Sequence, residues 1–180
     1  MVGANKDVMV NSAKQLEKLH ERNEKLQGKI IKYIKKMEPG HVQEGRLYIL
    51  VFDLMQDLSQ SANLLSSTCT SHLINHHQLP NRAYIDVLME LDNKLDKYLA
   101  RLVHSIETLQ FGDHESILKE KEKIVAFVNE KIDEQINSLQ REDVGSRNGL
   151  LQTRILLETK DILEVSSQVL NVYVDYARKE

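Results

Sequence analysis

Apolar residues recur along this chain in steps of three and four through five long stretches. Nowhere do they alternate in steps of two for long enough to suggest a strand. In 7–38 the series Met9, Ser12, Leu16, Leu19, Asn23, Leu26, Ile30, Tyr33 and Met37 makes a heptad-like seam with a polar seat at Asn23. Leu47, Leu50, Val51, Leu54, Leu58, Ala62 and Leu65 form a second stripe, and Leu88, Leu91, Leu95, Leu99, Leu102, Ile106 and Leu109 a third. Ile117, Ile124, Val128, Ile132, Ile136 and Leu139 make the fourth; Leu151, Ile155, Ile162, Val165, Val169 and Val172 make the fifth. Breaks fall at Pro39-Gly40, Pro80-Asn81, Phe111-Gly112-Asp113 and Gly145–Gly149. The intervening segments 7–38, 42–78, 82–110, 114–140 and 149–178 would each reach about 45 Å as helix, a length suited to long bundles. The pattern predicts an all-α fold, a long antiparallel bundle of about five helices in one domain over 1–180.

Composition supports this. Seven Gly and two Pro in 180 residues leave few turns for a sandwich, barrel or doubly wound sheet. A shift of 108 lays Arg46, Asp53, Ser59, Gln60 and Asn63 on Arg154, Asp161, Ser167, Gln168 and Asn171. That weak two-fold repeat would comprise copies over about 7–110 and 114–180. A net charge of −3 offers no overall field for nucleic acid, so none is expected as a partner. The lone Cys69 precludes an internal disulfide and suits a reducing cytoplasm. Leu47–Phe52, the longest wholly apolar run, is far short of a bilayer span, and no targeting segment is visible.

Candidate chemistry lies in carboxylates. Asp53 and Asp57 stand one helical turn apart, and Asp92 and Asp96 repeat the spacing, with Asp57 and Asp92 nearer their stripes. Glu158 falls within the fifth stripe and Asp161 at its edge. Carboxylates converging from several helices can hold hard or borderline metal ions, and the expectation is that Asp57 and Asp92 approach across a groove. The plainer alternative pairs Arg154 with Glu158 and leaves the aspartates solvated. Cys69, His72 and His76, with His77 adjacent, have spacings a zinc ion could use, but read first as structural. Lys29, Lys32, Lys35 and Lys36 read as complements of a helix dipole, with contact to acidic lipid as the lesser reading. No phosphate-binding glycine loop, nucleophile elbow or His-Glu-x-x-His helix is present, so no enzyme is expected.

The two Asp-x-x-x-Asp pairs, the helical repeat, and the stretches Met37–Arg46 and Val144–Leu151 resemble the PhoU-like regulators of phosphate uptake. In particular they resemble the cytoplasmic PhoU-like region that follows the membrane helices of some bacterial inorganic-phosphate transporters. The resemblance implies bundled helices binding iron, zinc, manganese or magnesium through Asp53, Asp57, Asp92 and Asp96. Glu158 and Asp161 are the weaker members, one residue short of the motif. It further implies a non-enzymatic role in phosphate transport at the inner face of the membrane, with the transporter's membrane domain as partner and a homodimer as an alternative. His41, Arg46, Arg147 and Asn148 are the expected partner contacts; strict up-and-down counting puts their two loops at opposite ends, whereas a two-copy arrangement lets both face one partner. The competing reading is a helical scaffold or oligomerisation module with neither metal nor phosphate role.

Overall fold

The computed structural model describes residues 6–38, 40–74, 81–140 and 146–178. Five helices carry the chain: α1 (Lys6–Ile34), α2 (Val42–Ile74), α3 (Arg82–Thr108), α4 (His114–Gln140) and α5 (Ser146–Ala177). No strand occurs among the described residues, so the fold is all-α. α5 starts at Ser146, which makes the expected loop residues Ser146–Gly149 helical. Gly149 is buried, and a Cβ there would collide with the Leu139 side chain, so its lack of a side chain lets α5 begin close against α4. Two ends show local causes. Asn81 caps α3 by accepting a 2.9 Å hydrogen bond from the Tyr84 N–H. Leu109 ends α3 in the left-handed region at φ 54° and ψ 31°, where glycine would be the easier residue.

The helices run alternately up and down. Tyr84 and Tyr98 of α3 reach Gln152 and Ser166 of α5, both 68 residues on, so α3 and α5 are parallel. Lys121 pairs with Glu164, and Lys160 bonds Asn129, so α4 is antiparallel to α5. Asn23 meets Ser59 and Tyr33 meets Tyr48, so α1 and α2 form an antiparallel hairpin. Among the described residues α2 lies along α5, α1 lies along α2, and the α2 and α3 backbones make no close approach, although Cys69 of α2 comes near Tyr84 of α3.

One core fills α3–α4–α5. Leu91, Tyr98 and Leu102 of α3, Ile117, Ile124 and Val128 of α4, and Leu156, Leu163, Leu170 and Val174 of α5 form it. Tyr84, Leu91, Tyr98 and Ser105 recur every seven residues, as do Leu156, Leu163 and Leu170, the repeat of helices in a left-handed bundle. This corrects the third stripe: Tyr84 and Tyr98 join the core, whereas Leu109 is 66% exposed. It also completes α5. The predicted stripe is the side turned to α2, with Leu151, Ile155 and Val169 buried; the Leu156–Val174 row is a second buried side.

The α1–α2 hairpin is thinner. Asn23 is the only buried residue of α1 among those described, and its Nδ2 donates to Ser59 Oγ at 2.8 Å. Leu16, Leu26 and Ile30 are half-buried, but Leu19 and Tyr33 of the same seam are exposed. The second stripe is mostly half-buried, with Leu50 exposed, and in the fourth stripe Ile136 is exposed.

Candidate functional site

Asp53 and Asp57 project from α2 into solvent, and Asp92 and Asp96 do so from α3. Among the described residues the α2 and α3 backbones make no close approach, and Asp57 and Asp92 are both exposed. Among the described residues no group of three or more His, Cys, Asp or Glu is placed to hold a metal ion. Glu158 alone of the six carboxylates is buried; Asp161 is exposed. Glu158 stands five helical turns before Tyr176, which borders α2, so it looks toward the α2–α5 seam. Its carboxylate Oε1 lies 4.0 Å from Arg154 Nε, the plainer pairing within one helix.

The Cys69 thiol is half-buried, and burial raises its pKa, which opposes the thiolate needed by a nucleophile or a metal. His72 is buried; His76 and His77 lie outside the described residues. The Tyr84 hydroxyl donates to the Gln152 carbonyl at 3.1 Å, and burial, aided by nearby Cys69, raises its pKa. The Tyr98 hydroxyl meets Ser166 Oγ at 3.0 Å, and burial pushes its pKa up to about 12 against the smaller opposing effect of that bond. Both phenols tie α3 to α5. Periodicity of aliphatic residues passed over them; only their seven-residue spacing with Leu91 could have marked them.

The Met37–Arg46 stretch, leaving aside Pro39, which is outside the described residues, turns the chain between α1 and α2. Gly40, at φ 126°, takes a conformation open chiefly to glycine. Beyond it His41 Nδ1 meets Glu44 Oε1 at 2.8 Å. A cleft of 320 Å³ opens here, with His41, Glu44 and Arg46 facing Asp175 and Tyr176 over a floor of Leu47, Leu50 and Val172. A cation, a carboxylate and a histidine–glutamate pair around apolar side chains suit recognition of a polar protein segment. Arg46 therefore sits beside the C-terminal end of α5. Arg147 and Asn148 lie in its first turn, roughly 40 Å away along the helix. Of the two placements, the structure has the one that strict alternation of five helices gives, with the stretches at opposite ends rather than together as in a two-copy arrangement. Asn148 is half-buried, and the Arg147 side chain is outside the described set.

A second groove, of 680 Å³, runs between α3 and α4, lined by Lys94, Lys97, Arg101, Lys119 and Lys123 with Glu90 and Glu120. Arg101 is fixed there, Nη1 to Glu120 at 2.6 Å and Nη2 to Ser116 at 3.0 Å. Single cations at helical spacing left no motif in the sequence; only the pairing of α3 with α4 gathers them. No helix of the described residues is long and apolar enough to cross a membrane. No protein-family model, no curated protein and no solved structure matches the chain.

Proposed function

We propose that this chain is a non-enzymatic regulatory module of inorganic phosphate transport, acting by contact with a transporter's membrane domain. The reading is supported by one observation above the others. The stretch that most resembles the PhoU-like region, Met37–Arg46, forms the rim of the cleft between the start of α2 and the end of α5. His41 and Arg46 are exposed there, His41 with its Nδ1 turned to Glu44. Arg147 and Asn148, at the opposite end, are left out of this contact surface, and the exposed aspartates are assigned no ion. The test is phosphate uptake by cells whose transporter works with the wild-type chain, with none, or with His41→Ala/Arg46→Glu. Altered uptake, or an altered response to external phosphate, in both of the last two supports the reading. Uptake identical in all three removes it.

A second reading, self-association, is favoured by half-exposed apolar side chains on the α1–α2 hairpin, Tyr33, Tyr48 and Ile49 among them. Sedimentation decides it: a dimer at micromolar concentration supports this role, and a monomer throughout excludes it.

A further inference from the structure

Lys14, Lys18, Arg22, Lys25, Lys29 and Lys32 follow one another along α1 at intervals of four, four, three, four and three residues. At 3.6 residues per turn all six fall in one sector roughly 80° wide, running about 27 Å along the helix. Every one of them is exposed. None is paired with a carboxylate among the described residues, where the only ion pair within α1 is His20 with Glu24. The carboxylates Glu17, Glu21 and Glu24 lie to one side of the row, and the α2-facing side of Asn23 and Ile30 lies on the other. Arg82, Lys94, Arg101, Lys121 and Lys131 of the remaining bundle, by contrast, each have a carboxylate partner. α1 carries an excess of three positive charges within a chain of net charge −3.

From this row of unpaired cations we infer that α1 is a peripheral docking edge for an anionic lipid surface. Dipole complementation accounts only for cations in the last turn, and this row begins five turns earlier. A straight row at the edge of the molecule meets a flat leaflet with all six charges at once. A nucleic-acid duplex curves away from such a row after a few phosphates, and the acidic remainder of the chain opposes any wrapping. Tyr33, four residues beyond Lys29 and 48% exposed, adds an aromatic ring beside the row, of the kind that settles at lipid headgroups. The apolar side of α1 is turned to α2, so the contact is electrostatic and shallow. This inference does not rest on the phosphate reading; either can fail alone.

The test is co-sedimentation of the whole chain with vesicles of phosphatidylcholine, with and without about one-third phosphatidylserine. Binding to the anionic vesicles alone, released by raised salt, is the expected result. Lys25→Gln/Lys29→Gln should weaken it about fivefold for each cation removed. Lys119→Gln/Lys123→Gln, with the same change of net charge on α4, should leave it unaltered. Circular dichroism and melting of both variants confirm that each is folded. No binding to anionic vesicles, or an equal loss in both variants, overturns the assignment. So does tighter binding to duplex DNA than to the vesicles at the same salt.

Discussion

The α3–α4–α5 bundle buries ten apolar side chains in one continuous core, whereas α1 buries none among its described residues and holds to α2 around an Asn23–Ser59 hydrogen bond. Both regions are written in the same three-and-four periodicity. The difference comes from what stands opposite each stripe. α5 has neighbours on two sides and fills both with Leu, Ile and Val; α1 has one neighbour, whose facing residues include a buried serine. An apolar period therefore marks a side that can be covered. How far it is covered depends on the number of helices that reach it.

The widest gap between the two regions should appear on truncation. Leu163→Ala, at a fully buried position of α5, should cost about 3–4 kcal/mol of unfolding free energy. Leu26→Ala, half-buried on α1, should cost about 1 kcal/mol or a little more. Urea midpoints of the two variants measure the contrast, and equal losses would mean that the hairpin is as firmly seated as the bundle.

A smaller effect should come from alkali. Tyr98 is fully buried and its pKa lies at about 12, above the ordinary value of 10. A phenol raised in this way contributes its stability in full below pH 10 and loses it as pH climbs from 10 toward 12. The loss should approach 2–3 kcal/mol, about 1.4 for each unit of difference. Tyr98→Phe should make that part of the pH profile shallower, leaving the share that buried Tyr84 contributes. It should also cost some stability from losing the bond to Ser166, whose Oγ keeps its bond to the Leu163 carbonyl. A wild-type profile that stays flat up to pH 12 would show that the Tyr98 hydroxyl reaches water.

The smallest change should be a gain. Leu109 is 66% exposed and held at φ 54°, so Leu109→Gly loses little buried surface and relieves a backbone conformation unfavourable to a branched side chain. The increase in stability should be about 0.5–1 kcal/mol, reduced by the greater freedom of glycine in the unfolded chain. Thermal melts of the two proteins would reveal it, and a lower melting temperature would mean that Leu109 contributes more contact than its exposure suggests.

Helix number, approximate helix limits and the α4 side of the core were legible in the sequence because breaks are scarce and periods long. The Leu156–Val174 row of α5 was not, since that helix carries apolar residues on two sides and a single stripe follows only one of them. The polar seat at Asn23 was legible too, although its partner Ser59 was not: a hydrogen bond across 36 residues leaves no local trace. Tyr84 and Tyr98 escaped because a stripe drawn through leucines ignores amphipathic rings that place a hydroxyl at the next helix. The candidate site was harder. Whether Asp57 faces Asp92 depends on which helices become neighbours, and α5 stands as the neighbour of both α2 and α3. The direction in which Arg46 and Arg147 lie apart follows from simple alternation of five helices, which a two-copy scheme obscures.

The place of α5 also bears on how the chain matures during synthesis. It touches α2, α3 and α4, and it is made after all of them. Until it leaves the ribosome, the α1–α2 hairpin has no bundle to join, and the rows from Leu91 to Leu102 and Ile117 to Val128 lack their third wall. The nascent chain carries those leucines and isoleucines uncovered on one side until α5 has been made, the interval in which a chaperone has most to bind. Its final assembly is a single late docking event, so a stalled ribosome should yield a fragment prone to aggregate rather than a smaller working unit.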